Sequence, residues 1–229
     1  AAIEASFEHW AEQLASMVEE VNATAVRIAD LNGTIRAANA SGLSANELID
    51  QRDLLVEQLA GQVGATARPG DDGTVDVYVR AMALVRSTTV EQLALDVGPT
   101  NQVVWADDGL VASVGGTAQG LLETTNVLVP GQRAQLAAVG QQLHDEVNAI
   151  HTTGFDQDGA PGVDFFQMGP NGIEVNPAVA ADPRRIAASA TPGAIDGSIA
   201  RQLAGQTGPD ASYRTMVVRL GVASQSVNR

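Results

Sequence analysis

Between Phe7 and Ile35 the apolar positions recur at alternating steps of three and four. Phe7, Leu14, Val21, Ile28 and Ile35 hold one register; Trp10, Met17, Thr24 and Leu31 hold the other. This phase predicts one helix from about Ile3 to about Asn39, with a narrow seam that packs against other helices. At 1.5 Å per residue such a helix is roughly 55 Å long, a length that suits a protein joining others end to end better than a compact enzyme. The helix closes near Ala40-Ser41-Gly42, where Gly42 can adopt the left-handed conformation. Ser44-Ala45-Asn46-Glu47 then reads as a capping box. It opens a second helix with Leu48, Ile49, Leu55, Val56, Leu59 and Val63 on its apolar face, running out at Gly61 and Gly64. So short a link makes the two an antiparallel pair.

The period next changes to two. Pro69 to Gly73 is a turn, and Thr74–Val79 alternates as a strand does. Short β signals follow at Ala83–Arg86, Gln92–Val97 and Gln102–Ala106, and Asp107-Asp108-Gly109 makes a hairpin turn into Leu110–Val114. Residues 66–116 therefore read as a small, mostly antiparallel β unit that exits at Gly115-Gly116. Helix returns from Thr117, breaks at Pro130-Gly131 and resumes to about Ile150. Leu136, Val139, Leu143, Val147 and Ile150 form a second seam there, and Ala137, Ala138 and Gly140 permit close approach. From Thr152 to Pro192 the chain is loop-rich, with one strand at Gly172–Asn176. A short helix over 194–204 precedes a last helix capped by Asp210 or Ser212, with Tyr213, Val217, Leu220, Ser224 and Val227 at heptad spacing.

The fold class is α+β: a mainly α bundle of long, antiparallel, coiled-coil-like helices with a small antiparallel β unit attached. Residues 1–65, 117–150 and 194–229 form the helical bundle domain, 66–116 the β subdomain, and 151–193 a loop-rich segment. The first and last helices are expected to pair as a stem from which the rest is an excursion. The chain opens without Met and both ends lie in helical pattern, as expected of a central piece of a longer protein.

Composition narrows the function. The 229 residues are 45% hydrophobic but only 3% aromatic, which suits close helix packing better than a ring-walled pocket. A net charge of −14, with Arg as the sole Lys/Arg type, makes nucleic acid and anionic membranes poor partners. Without Cys there are no disulfides, thiolate metal sites or cysteine nucleophiles. No apolar run approaches the ~20 residues that cross a bilayer.

Candidate chemistry is thin. His144 and His151 stand seven apart, about two helical turns, too far to share one tetrahedral ion. His151 reads instead as part of a polar helix edge, at a terminus that tolerates positive charge. Asp156-Gln157-Asp158-Gly159 begins like a calcium loop, but Ala160, Pro161 and Gln167 stand where ligands and the invariant glycine belong. Asp50 and Asp53 could form an acid/base pair, yet Arg52 between them argues for a salt-bridged contact. Phosphate loops of the GxxxxGK type require Lys, and no GxSxG elbow occurs. The expectation is a non-enzyme with no cofactor and no metal.

Two stretches carry a family resemblance. Ile28-Ala29-Asp30-Leu31-Asn32-Gly33-Thr34-Ile35, followed by Asn46-Glu47-Leu48-Ile49-Asp50-Gln51-Arg52-Asp53-Leu54-Leu55, is one. The other runs from Leu136 to Phe166 through Asn148, His151, Gly154-Phe155-Asp156, Gly159, Gly162 and Asp164-Phe165-Phe166. Both resemble the hook-associated protein 1 family of flagellar hook–filament junction proteins, as do Asp182-Pro183, Ile186-Ala187-Ala188-Ser189 and Val218–Gly221. Spacing and order agree over about residues 22–225.

The resemblance implies a structural, non-catalytic axial protein of the bacterial flagellum, needed for assembly and motility. It implies export by the flagellar secretion system without a cleaved signal peptide and an extracellular place at the hook–filament junction. The implied partners are hook protein, the second junction protein, copies of the chain in a ring, and an export chaperone for the full-length protein. This piece resembles the domain just outside the inner tube, so alone it is expected to be a monomer. Structural or interaction candidates on the matching positions are Asp50, Arg52, Asp53, His151, Asp156, Phe165 and Phe166. Larger members carry a β-rich outer domain after the Asp-Phe-Phe segment, whereas here only Gln167 to about Ala180 fills that place. Two other classes compete: a secreted adhesion module on a helical stalk, and a hydrolase with an unrecognised acidic site.

Overall fold

The computed structural model describes residues 2–194 and 196–227. The chain divides into two compact units, Ala1–Pro130 and Gly131–Arg229.

In the first unit, helix α1 spans Ala2–Ala40, about 58 Å of axis at 1.5 Å per residue. It closes as expected: Gly42 is left-handed, the Leu43 N–H donates to Ala38 O (3.0 Å) and the Gly42 N–H to Asn39 O (3.0 Å). Helix α2 (Asn46–Val63) packs antiparallel to it, with Gln58 donating to Glu20 across the pair (2.7 Å). The capping box does not form. Ala45 is the N-cap and no side chain caps the helix, so Ser44 falls one residue too early to serve.

The α1 seam is buried at Leu14, Val21, Thr24, Ile28 and Ile35, and half-buried at Trp10, Met17 and Leu31. Phe7 lies outside the described side chains, as do Leu220, Ser224 and Val227 of the last helix. The buried stripe is wider than a two-position seam, because Val18, Ala25, Ala29 and Asn32 are buried as well. The sequence pattern implied helical partners alone. Here the extra width is covered by strands.

Those strands are β1 (Ala65–Pro69), β2 (Val75–Val79), β3 (Met82–Arg86) and β4 (Thr89–Val90) in one antiparallel sheet of order β1-β2-β3-β4. A second ribbon pairs β5 (Leu93–Asp96) with β6 (Gln102–Trp105). Strand β1 was not legible as a strand: its pattern of one buried residue followed by four exposed ones carries little apolar signal. The Leu110–Val114 stretch contributes a single bridge, Val111 opposite Val104. Val77, Leu84, Val85, Val103 and Trp105 meet Leu14, Val21, Ile28 and Leu59 in one core.

Two asparagines on α1 attach the strands. Asn32 is fully buried; its amide donates to Val75 O (2.8 Å) and Ser87 O (2.7 Å), and its carbonyl accepts from Val75 N–H (3.0 Å). Asn22 does the same to one residue, donating to Leu93 O (2.8 Å) and accepting from Leu93 N–H (2.9 Å). A carboxamide has the same donor and acceptor as a peptide group, so each side chain pairs as a neighbouring strand would.

The exit from the β unit presses against the end of α2. Gly115 N–H donates to Val63 O (2.7 Å), and a Cβ on Gly116 (φ 55°) would run into Gly61 O. Helix α3 (Gly116–Glu123) then leads without a break through a π-helical segment, Thr124–Leu128, into α4 (Val129–His151). The interruption expected at Pro130 takes this wider form. Proline has no N–H and its ring crowds the carbonyl four residues back, and the ladder just upstream loosens to an i→i−5 bond, Val129 N–H to Thr124 O. Asn126 in that segment pairs with Asn101 O and N–H (both 2.8 Å), repeating the α1 device.

The second unit carries most of α4, the hairpin β7 (Phe166–Gly169) and β8 (Gly172–Val175), α5 (Pro177–Ala181), a 3-10 turn (Pro183–Arg185), α6 (Ser198–Ala204) and α7 (Gly208–Val227). The anticipated strand is β8; its partner β7 was not anticipated. The short helix begins at Ser198, later than expected, with Gly197 left-handed before it. The last helix starts at Gly208, ahead of both proposed caps.

Replacing Asn32 with Ala leaves the Val75 N–H and carbonyl in the core, and the half-buried Ser87 carbonyl in the β3–β4 turn, without their partner; denaturant unfolding should show a loss of about 2–4 kcal/mol. Asn22→Ala, at a half-buried position, should cost clearly less. In the β1–β2 turn, the Thr74 hydroxyl (2.6 Å) and N–H (3.1 Å) hold the Asp72 carboxyl below its ordinary 3.8. A lowered folded-state value means the stabilisation is complete above the unfolded value and vanishes as pH falls through the folded one. Carbon-detected NMR titration should accordingly place the Asp72 midpoint below 3.8 in the folded chain.

Candidate interaction residues

The candidates fall into two groups. Asp50, Arg52 and Asp53 lie on α2 in the first unit. Arg52 points inward and is only 5% exposed. Its Nη1 donates to Gly73 O (2.8 Å), while Nε (3.1 Å) and Nη2 (2.9 Å) both reach one oxygen of Asp53. The guanidinium thus fastens α2 to the β1–β2 turn, where Gly73 (φ 86°) also sits tight against Asn39 of α1. Asp53 remains mostly exposed, so part of this ion pair is screened by water. Asp50 is exposed and takes no part in the Arg52 pair. The expected flanking of Arg52 by two carboxylates is therefore one-sided, because Asp50 sits two residues away on another face of the helix.

His151, Asp156, Phe165 and Phe166 form a knot at the end of α4. His151 is fully buried, not on a polar helix edge. Its Nδ1 meets Val163 O (2.5 Å) and its Nε2 accepts the Ala187 N–H (2.8 Å). One acceptor and one donor facing the ring match the Nδ1–H tautomer. Both nitrogens are consumed by backbone, leaving no lone pair for a metal. Phe165 stands edge-on to His151 (5.3 Å between centroids) and to Phe166 (4.8 Å).

Asn148, one turn before His151, holds the start of β7. Its carbonyl accepts from Phe165 N–H (2.8 Å) and Phe166 N–H (3.0 Å), and its amide donates to Phe166 O (2.9 Å). The loop between is closed by Asp156, whose carboxylate accepts from the N–H groups of Asp158 (3.0 Å) and Ala160 (2.8 Å). This is an Asx-type turn, and the aspartate of the apparent calcium motif spends one oxygen, Oδ1, on two backbone N–H groups. Gly162 and Gly154 complete the knot: a Cβ on Gly162 would strike His151 O, and one on Gly154 would crowd Ile199 and Ser189 O.

The arrangement holds backbone to backbone. Among the described residues no group of three or more His, Cys, Asp or Glu side chains could hold a metal ion, and no helix is long and apolar enough to cross a membrane. The residues that carry the connections and escaped notice in the sequence are Asn22 and Asn126. The signal for Asn22 was available, since a polar amide beside the seam residue Val21 on a buried helix face demands a partner.

Comparison with known proteins agrees with this geometry. The family model described as the flagellar hook-associated protein FlgK helical domain matches residues 3–166. Flagellar hook-associated protein 1 of Salmonella typhimurium is 32% identical over 170 residues, covering 68% of this chain and 31% of that protein. The Escherichia coli protein of that name is 29% identical over 177 residues, covering 71% and 32%. The Bacillus subtilis one is 24% identical over 274 aligned residues, covering 95% and 54%. Among solved structures, the flagellar hook junction protein FlgK from Burkholderia pseudomallei superimposes with a TM-score of 0.60 at 27% identity, covering 73% of this chain and 34% of that one. The chain thus spans about a third of the length of the two enterobacterial relatives and of the solved structure. Its long latched α1, the Arg52 anchor on α2 and the Asn148–His151 knot up to Phe166 all fall in the matched span, and the chain belongs to the flagellar hook-associated protein FlgK family through its helical domain.

Proposed function

We propose that the protein to which this chain belongs is a structural, non-catalytic component of the bacterial flagellum that joins hook to filament. The single observation that carries the reading is the match of the helical-domain model to residues 3–166. The family does not favour the alternative of an adhesion module on a stalk. Physically, a helix of 39 residues fastened to strands at Asn22 and Asn32 resists bending as a bare helix cannot, which is what relaying load between two polymers requires. The finer reading places the protein outside the cell at the hook–filament junction, exported by the flagellar secretion system without a cleaved signal peptide. Its partners are then hook protein, the second junction protein, further copies of itself in a ring, and an export chaperone.

The domain layout read from the sequence belongs to this proposal, including the pairing of the first helix with the last and a minimal outer insertion. Paired spin labels on α1 and α7 of the parent protein should give a short, narrow distance distribution; a broad or long one overturns the pairing.

A strain deleted for the parent protein should build hooks and release unassembled filament subunits into the medium. Attached filaments in that strain would remove the junction role. By sedimentation the isolated chain should run as a monomer, and a stable closed ring would contradict that. For Arg52→Ala, loss of the Gly73 and Asp53 contacts should lower unfolding free energy by about 1–3 kcal/mol, and filament joining should weaken with it. Unchanged melting and joining would discard the anchoring role.

A further inference from the structure

The sequence contains two Asn-Gly pairs, Asn32-Gly33 and Asn171-Gly172, in opposite physical settings. Asn-Gly is the dipeptide most prone to cyclise, because glycine puts no side chain in the way of its own backbone nitrogen as it approaches the asparagine Cγ. Asn32 lies inside α1, fully buried, with its amide engaged by Val75 and Ser87. Helical backbone also holds the following nitrogen away from Cγ. Asn171 stands at the tip of the β7–β8 hairpin, exposed, in a two-residue loop after Pro170. Among the described hydrogen bonds its carboxamide makes none, and the space where a Gly172 Cβ would sit is open. A two-stranded hairpin is only marginally stable by itself, so its tip samples the open conformations that cyclisation needs.

We propose that Asn171 is a site of spontaneous deamidation in the folded protein, and that Asn32 is protected by the fold. The Gly172 nitrogen bonds to Asn171 Cγ, the Cγ–Nδ2 bond breaks, and ammonia leaves with the proton lost from the Gly172 N–H. Water then opens the resulting succinimide at either carbonyl. Opening at Cγ restores the ordinary backbone with Asp at 171; opening at the α-carbonyl routes the backbone through Cγ as isoaspartate. No oxidant or cofactor enters. Both products add a negative charge at the hairpin tip of an already acidic chain. The isoaspartate product also inserts a backbone carbon where Gly169 faces Gly172, which breaks the register of the turn. The damage stops at the base of the hairpin, where Asn148 grips Phe165 and Phe166.

The test is incubation of the folded chain at mildly alkaline pH and physiological temperature, followed by peptide mapping by mass spectrometry. The expected result is progressive amide-to-acid conversion at Asn171, split between Asp and isoAsp peptides, with Asn32 unchanged. In strong denaturant both sites should convert at similar rates, showing that the fold protects Asn32. An Asn171→Gln chain should show no conversion in the hairpin peptide. Absence of conversion at Asn171 in the folded chain while the denatured chain converts would overturn the proposal, as would equal conversion at Asn32 and Asn171 in the folded state.

Discussion

The pairing of helix-borne asparagine amides with backbone groups of extended segments is the constraint on which the rest of the structure depends. Asn22, Asn32, Asn126 and Asn148 each satisfy a backbone N–H and a backbone C=O with one side chain. Helices and strands do not normally hydrogen-bond to each other, because a helix spends its peptide groups on itself. A helix that must hold a strand edge therefore needs side chains that imitate peptide groups. Asn is the shortest side chain carrying a carboxamide, which donates and accepts through separate atoms as a peptide group does, with few rotamers to freeze.

Magnitudes separate what these latches do from what the core does. Burial of Leu14, Val21, Ile28 and Ile35, all with no exposure, contributes about 1.5–3 kcal/mol per side chain relative to exposure. A made hydrogen bond contributes about 1 kcal/mol net, whereas an unmade buried one costs about 1–3 kcal/mol. The apolar stripe thus supplies most of the cohesion, and the latches choose among arrangements. A two-residue slip of β2 against α1 would keep its apolar face toward the helix yet leave Asn32 and Val75 unpaired in a dry core. Long helix and small sheet are locked in one register for that reason. Arg52 adds a third tie, from α2 to the turn beside the end of α1, and the Gly61–Gly116 approach a fourth. A stiff element tied at several points suits a protein of a family in which one solved structure is described as a flagellar hook junction protein.

Much of this was legible in the sequence and some of it was not. The length of α1, the Gly42 stop, the α2 partner, the β unit over the following fifty or so residues and the Asp-Asp-Gly turn all followed from local periodicity and turn chemistry. The failures have two causes, an alternative local backbone at Ser44 and Pro130 and a distant partner at His151 and β1. Ser44 fits a capping box by spacing, but α2 starts at Asn46 with Ala45 as its cap and no capping side chain. Pro130 reads as a break, yet one π-helical turn keeps the helix going. His151 looks like an edge residue because the Ala187 N–H that buries it lies 36 positions away. Strand β1 has no apolar alternation because it is an edge strand with most of its residues in solvent. The family-matching motif residues fared differently from what their chemistry suggested. Asp156, Arg52 and His151 carry charge-capable groups that hold the chain to itself rather than a ligand.

Native-state hydrogen exchange at Val75 and Leu93 tests the latch account most directly, because their N–H groups donate to Asn32 and Asn22 and to no strand neighbour on that side. If the latches bind α1 and the sheet into one cooperative body, both amides exchange only with global unfolding, at the rate of the α1 amides around Val21 and Ile28. Should Val75 and Leu93 exchange rapidly while the centre of α1 stays protected, the sheet opens independently of the helix and the central claim fails.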